Sequence, residues 1–167
     1  MFFNSHLINK TSKIVEDLKR QNLKIAFAES CTGGLLSSLF TEISGSSEVF
    51  DRSFITYSNE AKVEMLGVDK RALNQYGAVS LQIAKQMAKG TINNSMADLS
   101  ISITGIAGPN GGSKEKPVGL VYICLGKRGE SGVKTSCRKF NFTGDRSDIR
   151  KRVLNEVLNL LITKQIP

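Results

Sequence analysis

The residues Ile25-Ala26-Phe27-Ala28-Glu29-Ser30-Cys31-Thr32-Gly33-Gly34 decide how the chain is read. Ile25 to Ala28 form a short apolar run that suits a buried strand, and Leu35, Leu36, Leu39, Phe40 and Ile43 then recur at helical spacing. A hydroxyl-rich turn closed by two glycines therefore sits where a strand ends and a helix begins. Ligands collect at such places in open α/β sheets, because unpaired backbone N–H groups and the helix dipole favour negative charge there. Ser30 is in position to be a nucleophile and Thr32 to cap the helix. A plain strand-to-helix turn with capping hydroxyls is the alternative that this motif alone leaves open.

Outward from this turn, the pattern is regular. Leu7, Ile8, Ile14, Val15 and Leu18 share one face of an amphipathic helix over residues 4–21. The strand at 24–28 is followed by a helix over 32–44. Ser53 to Tyr57 reads as a second strand, and Ser58 can cap a short helix that Gly67 ends. A brief helical piece near 70–75 leads to Gly77, and Ser80 caps a helix over 81–93. Leu99, Ile101 and Ile103 alternate with Ser100, Ser102 and Thr104, a strand with one apolar face and one face of small hydroxyls. It runs into a loop holding Gly105, Gly108, Gly111 and Gly112. Val118 to Leu125 is almost wholly apolar, as a central strand is, and the more polar Lys134 to Phe142 suits a place nearer an edge. Gly144-Asp145 opens the last helix. Helices precede and follow the strands, which predicts an α/β fold: one three-layer α/β/α domain over residues 1–167, with a mixed, mostly parallel sheet.

The totals bound the function. A chain of 167 residues suffices for one domain with a real core. No apolar run approaches the roughly 20 residues of a membrane helix, and Met1 to Lys10 lack the order of a signal peptide. A cytoplasmic protein is expected. Cys31, Cys124 and Cys137 are odd in number, widely spaced and without a CxxC pair, which suggests neither a disulfide framework nor a zinc site. The net charge is +8, but the basic residues are scattered and lack aromatic interleaving, which argues for a solvated, moderately basic surface or an anionic small substrate over nucleic acid. The single histidine, His6, is far in sequence from any candidate nucleophile. This weighs against Ser-His-Asp and Cys-His arrangements and against histidine-rich metal sites. An activated Ser30 would then need Lys, Tyr, Asp or Glu as its base.

Four stretches can carry chemistry. The first is the Ser30 turn; it lacks the GxSxG elbow, since Ala28 stands two residues before the serine. Cys31 is a rival nucleophile, but with no obvious thiolate-stabilising neighbour it reads better as a buried, inert thiol. The second is Tyr57-Ser58-Asn59-Glu60-Ala61-Lys62, where Lys62 sits one turn into a capped helix and can reach back over a strand end. A lysine serves as a base only when neutral, which needs a low-dielectric or cation-rich pocket; a solvated helix lysine is the bland alternative. The third is the Gly105–Gly112 loop, whose glycines let backbone approach a ligand and whose N–H groups can nest an anion. It lacks the Gly-Lys-Ser/Thr ending of a P-loop. The fourth is Gly144-Asp145-Arg146, where an arginine at a helix start opposes the dipole. Arg146 can serve as a phosphate fork or form a surface ion pair with Asp145 or Asp148.

Together these stretches resemble a known family. Ala28 to Gly34, Thr56-Tyr57-Ser58-Asn59 with Lys62, Gly77-Ala78-Val79-Ser80, Thr104 to Pro109 with Lys116-Pro117-Val118-Gly119, and Gly144-Asp145-Arg146 look like the CinA C-terminal domain family, in this order and over nearly the whole chain. Enzymatic members of that family are nicotinamide-nucleotide amidohydrolases. The resemblance implies a stand-alone form that hydrolyses the carboxamide of nicotinamide mononucleotide to the acid and ammonia, in pyridine-nucleotide salvage. It implies Ser30 as nucleophile, Lys62 as base and Tyr57 as proton relay or as the group that holds the amine. Thr104, Gly105, Ala107, Gly108 and Arg146 fall where the family lines its substrate pocket, and the backbone of Thr32, Gly33 and Gly34 is expected to stabilise the oxyanion. Ser53 stands where the family is expected to carry Gly, and Asn110 varies a loop position. A nucleotide substrate, no metal, no cofactor, no membrane, no nucleic acid and a homo-oligomer are the expectations. A non-catalytic nucleotide- or partner-binding module of the competence or DNA-damage type is the rival reading.

Overall fold

The structure, a computed structural model, describes residues 3–163; expectations that extend to residues 1–2 and 164–167 lie outside them. The chain runs α1 (Ser5–Gln21), β1 (Ile25–Glu29), α2 (Leu35–Thr41), a 3₁₀ turn (Ser46–Glu48), β2 (Phe50–Ile55), α3 (Asn59–Leu66), α4 (Lys70–Tyr76), α5 (Leu81–Asn93), β3 (Leu99–Gly105), β4 (Leu120–Gly129), β5 (Gly132–Asn141) and α6 (Arg146–Ile162). The described strands form one mixed sheet in the order β2-β1-β3-β4-β5. β1 is parallel to β2 and β3, and β4 is antiparallel to β3 and β5, so β4 alone runs against the others.

Each side of the sheet is covered by helices. On one face α1, α2 and α6 pack over Phe27, Ile101, Ile103 and Ile123, with Leu18, Phe40, Val153 and Leu158 among the buried partners. On the other, α3, α4 and α5 enclose Ala28, Leu66, Leu73, Ile83 and Met87. β1 is buried at every position, which is why it reads as a continuous apolar run. The alternation in β3 has a different cause. Its hydroxyl face is also buried, and the Ser100, Ser102 and Thr104 hydroxyls donate to the carbonyls of Ala88, Ala84 and Ala78 at 2.9, 2.6 and 2.9 Å. Small side chains let α5 approach the sheet, and the buried hydroxyls are satisfied by backbone carbonyls, two on α5 and one in the α4–α5 connection.

Three local expectations are corrected. α2 begins at Leu35, three residues later than read, because Gly33 and Gly34 take positive φ values of 59° and 92° that break helical geometry. β2 begins at Phe50 and ends at Ile55; as an edge strand it tolerates Asp51 and Arg52, whose charges hid its start. Cys124 and Cys137 are directly opposed across the β4–β5 ladder, 4.0 Å apart at Cα, and form a disulfide, against the expectation of none. None of the described helices is long and apolar enough to cross a membrane.

Candidate active site

The carboxyl ends of β1, β2 and β3 converge at Ser30. Its N–H donates to the Ile103 carbonyl at 3.1 Å, and the Thr56 N–H donates to the Glu29 carbonyl at 2.9 Å, so the backbone is fixed on both sides of the serine. Ser58 then caps α3 by accepting from the Ala61 N–H at 3.0 Å, and Gly67 closes the helix in the left-handed region. This short helix lays Lys62 back over the strand ends. Lys62 Nζ lies 3.2 Å from Ser30 Oγ, donates to the Thr56 carbonyl at 2.8 Å, and has the carbonyls of Ser58 and Tyr57 at 3.4 and 3.5 Å.

Lys62 is 1% exposed. Burial lowers its pKa below the ordinary lysine value of 10.5, while the neighbouring Cys31 and Glu60 pull the other way. A neutral amine has two N–H groups and one lone pair. The carbonyls can take the N–H groups, leaving the lone pair to accept the Ser30 proton. The arrangement is thus chemically able to prepare an alkoxide-like nucleophile without histidine.

Cys31, the adjacent thiol, is buried, and burial pushes its pKa up to about 11. At neutral pH it is protonated and a poor nucleophile.

Glu29 has a larger part than the sequence reading gave it. Its side chain is fully buried and accepts from the N–H groups of Gly34, Leu36 and Ser37 at 3.0, 3.1 and 2.9 Å, and from the Ser37 hydroxyl at 2.5 Å. The carboxylate occupies the N-terminus of α2 as a fixed internal anion. The signal was available: an acid stood directly before a hydroxyl turn that opens a helix. Thr32 therefore does not cap α2; its hydroxyl is buried with no hydrogen-bond partner. The Gly34 N–H is taken by Glu29, the Gly33 N–H donates to the Ser30 carbonyl at 3.0 Å, and the Leu35 N–H to the Thr32 carbonyl at 3.3 Å. The expected oxyanion donors at Gly33 and Gly34 are thus committed elsewhere, whereas the N–H groups of Cys31 and Thr32 have no backbone acceptor among the described residues.

A cavity of about 260 Å³ opens over Ser30 and Lys62. Of the anticipated residues it brings together Tyr57, Thr104, Gly105, Ala107, Gly108 and Arg146, and leaves Thr32, Gly33 and Gly34 outside its lining. It adds Asn59, Ala78, Val79, Ile106 and Asn110, which sequence reading did not assign. Tyr57 is 61% exposed, and its hydroxyl accepts from Arg146 at 2.9 Å. Only the Tyr57 carbonyl approaches the lysine. The other end of the Arg146 guanidinium donates to the Gly108 carbonyl at 2.7 Å and so ties α6 to the glycine loop. Asp145 and Asp148 instead form a reciprocal capping box at the head of α6, and the surface ion pair considered for Arg146 does not form. Among the described residues no group of three or more His, Cys, Asp or Glu side chains could hold a metal ion. Ser53, the departure in β2, buries a hydroxyl with no partner beside β1.

Known proteins share this arrangement of elements. The model of the CinA C-terminal domain matches residues 8–165. The nicotinamide-nucleotide amidohydrolase PncC of Escherichia coli K12 is 42% identical over 159 residues, covering 95% of this chain and 94% of that protein. A CinA-like protein of Endomicrobium trichonymphae is 47% identical over 99% of this chain, which spans 37% of that longer relative's length. The crystal structure of the competence/damage inducible protein CihA of Agrobacterium tumefaciens superposes with a TM-score of 0.92 at 41% identity, covering 98% of each chain. With the family model matched along nearly its whole length and the fold shared to the last strand, the chain belongs to the CinA C-terminal domain family.

Proposed function

We propose that the protein is an amidohydrolase that converts the carboxamide of nicotinamide mononucleotide to the carboxylic acid and ammonia through a Ser30–Lys62 pair. The observation that carries this reading is the buried Lys62 amine 3.2 Å from the Ser30 hydroxyl at the floor of a cavity. The relative named nicotinamide-nucleotide amidohydrolase supports the substrate class.

In the first step neutral Lys62 takes the Ser30 proton and the serine oxygen bonds to the carboxamide carbon. The N–H groups of Cys31 and Thr32 are bonded to no backbone carbonyl among the described residues and are the donors left for the oxyanion; each such bond contributes on the order of 3 kcal/mol. Lys62 then returns its proton to the departing nitrogen, the C–N bond breaks, and ammonia leaves an acyl-serine. Water, deprotonated by Lys62, attacks the ester, and the acid departs as Ser30 regains its proton. Tyr57 acts through position: its carbonyl receives the lysine amine and its hydroxyl holds Arg146, which faces the substrate's anionic end.

Ammonia release by the purified protein tests the reading, with the mononucleotide, the riboside and the dinucleotide as substrates. Turnover of the mononucleotide is expected. No ammonia from any of the three overturns it and leaves a nucleotide-binding module.

A further inference from the structure

A second cavity of about 480 Å³ lies on the far side of Arg146, between the glycine loop and the head of α6. Ala107 and Arg146 line both cavities; Arg150, Ser147, Pro109 and Val118 contribute to the second. We propose that this second cavity seats a phosphate dianion, and that Arg150 links the seated anion to the turn that carries Ser30. The proposal deepens the amidohydrolase reading and rests on it for the identity of the molecule that bears the phosphate.

Two guanidinium groups, from Arg146 and Arg150, border this cavity, and neither is in an ion pair among the described residues. The acid that shares the lining, Asp145, is engaged with helix backbone: its Oδ1 accepts from the Asp148 N–H at 2.8 Å, and Asp148 Oδ2 accepts in return from the Asp145 N–H at 3.4 Å. Two guanidinium groups outside any ion pair, set against one carboxylate held by helix backbone, suit an oxyanion with several acceptor oxygens, and planar guanidinium groups match phosphate geometry. Arg150 is only partly committed. One terminal nitrogen donates to the Thr32 carbonyl at 2.7 Å, and its Nε is buried without a partner. Thr32 is two residues beyond Ser30, so the same guanidinium that borders the cavity also fixes the nucleophile's turn. An anion on Arg150 would hold that side chain in place and with it the Thr32 carbonyl.

A phosphate of this kind can be the substrate's own phosphoryl group or free inorganic phosphate, and two arms of one experiment separate them. The first measures kcat and KM for nicotinamide mononucleotide and nicotinamide riboside with wild type, Arg150→Met, Arg150→Lys and the exposed-site variant Ser147→Glu. If the substrate's own phosphate is seated, the preference for the mononucleotide falls about tenfold or more in Arg150→Met and in Ser147→Glu, with partial recovery in Arg150→Lys. Equal slowing of both substrates by Arg150→Met, or an unchanged preference, excludes the substrate's own phosphate as the occupant, and the second arm then decides whether free phosphate takes the seat. The second arm titrates inorganic phosphate by calorimetry and needs no turnover. Binding by wild type that weakens about tenfold in Arg150→Met supports the seat even if no nicotinamide substrate is hydrolysed. Equal or absent binding in both proteins, together with an unchanged substrate preference, removes it.

Discussion

Lys62 Nζ and Ser30 Oγ lie 3.2 Å apart although 32 positions separate the residues in the chain. Two short-range devices create the contact. The parallel pairing of β1 with β2 brings Glu29 beside Ile55, and the Ser58 cap turns the chain into α3 within the next three residues. The amine then falls onto the Thr56 carbonyl and the serine at once.

In the proposed mechanism the amine is the base, so Lys62→Met is expected to lower kcat/KM for the mononucleotide by on the order of 10³-fold or more while the protein stays folded. Methionine fills the same buried space without a charge to desolvate, so circular dichroism and denaturation midpoints check the fold beside the rate. A variant within about tenfold of wild type would remove lysine from the chemistry.

The pH dependence follows from the direction of the lysine's shift. Burial holds the Lys62 pKa below 10.5, and only the neutral amine accepts the Ser30 proton. Activity therefore rises with pH through an ionisation below the usual lysine range and then levels. Stability has the same sign. The unfolded chain binds a proton that the folded site resists, so this residue's contribution weakens as pH falls from 10.5 through the folded value. In Lys62→Met that part of the slope in a denaturation series against pH should vanish.

Cys31 provides a control beside the proposed nucleophile, Ser30. Its thiol is buried and pushed up to about 11 by desolvation, so Cys31→Ala is expected to keep turnover within about threefold of wild type. In the native protein iodoacetamide at pH 7.5 should modify it far more slowly than a free thiol. Rapid alkylation with matching loss of activity would show a reactive cysteine instead.

Glu29 tests what holds the turn. Replacing it by Gln places an amide N–H₂ against backbone donors now facing a carboxylate, and should destabilise the fold by about 2–3 kcal/mol. Guanidinium denaturation reads this directly. A midpoint unchanged from wild type would mean that α2 does not depend on its internal anion.

Much of the architecture was legible because it rests on local rules. Ser58 and Ser80 are caps in the structure as in the sequence, and Gly67 ends its helix. The convergence of Ser30, Lys62, Thr104 and the glycine loop was legible because Thr104 closes β3, Ser30 and the loop follow β1 and β3, and Lys62 lies on the short helix after β2, strand ends that parallel pairing brings to one edge. What stayed hidden depends on partners far along the chain. Tyr57 points its hydroxyl to Arg146, 89 positions away, and no local pattern reports such a choice. The cysteine pair was in principle readable: five steps back from Gly129 and five forward from Gly132 along a tight hairpin bring residues 124 and 137 into register. Counting cysteines by spacing alone overlooked the hairpin.

Ammonia release from nicotinamide mononucleotide by folded Ser30→Ala, measured beside wild type, bears most directly on the serine–lysine chemistry. Wild-type turnover with a loss on the order of 10⁴-fold in the variant is expected. A Ser30→Ala protein that releases ammonia at the wild-type rate would contradict covalent catalysis at this turn.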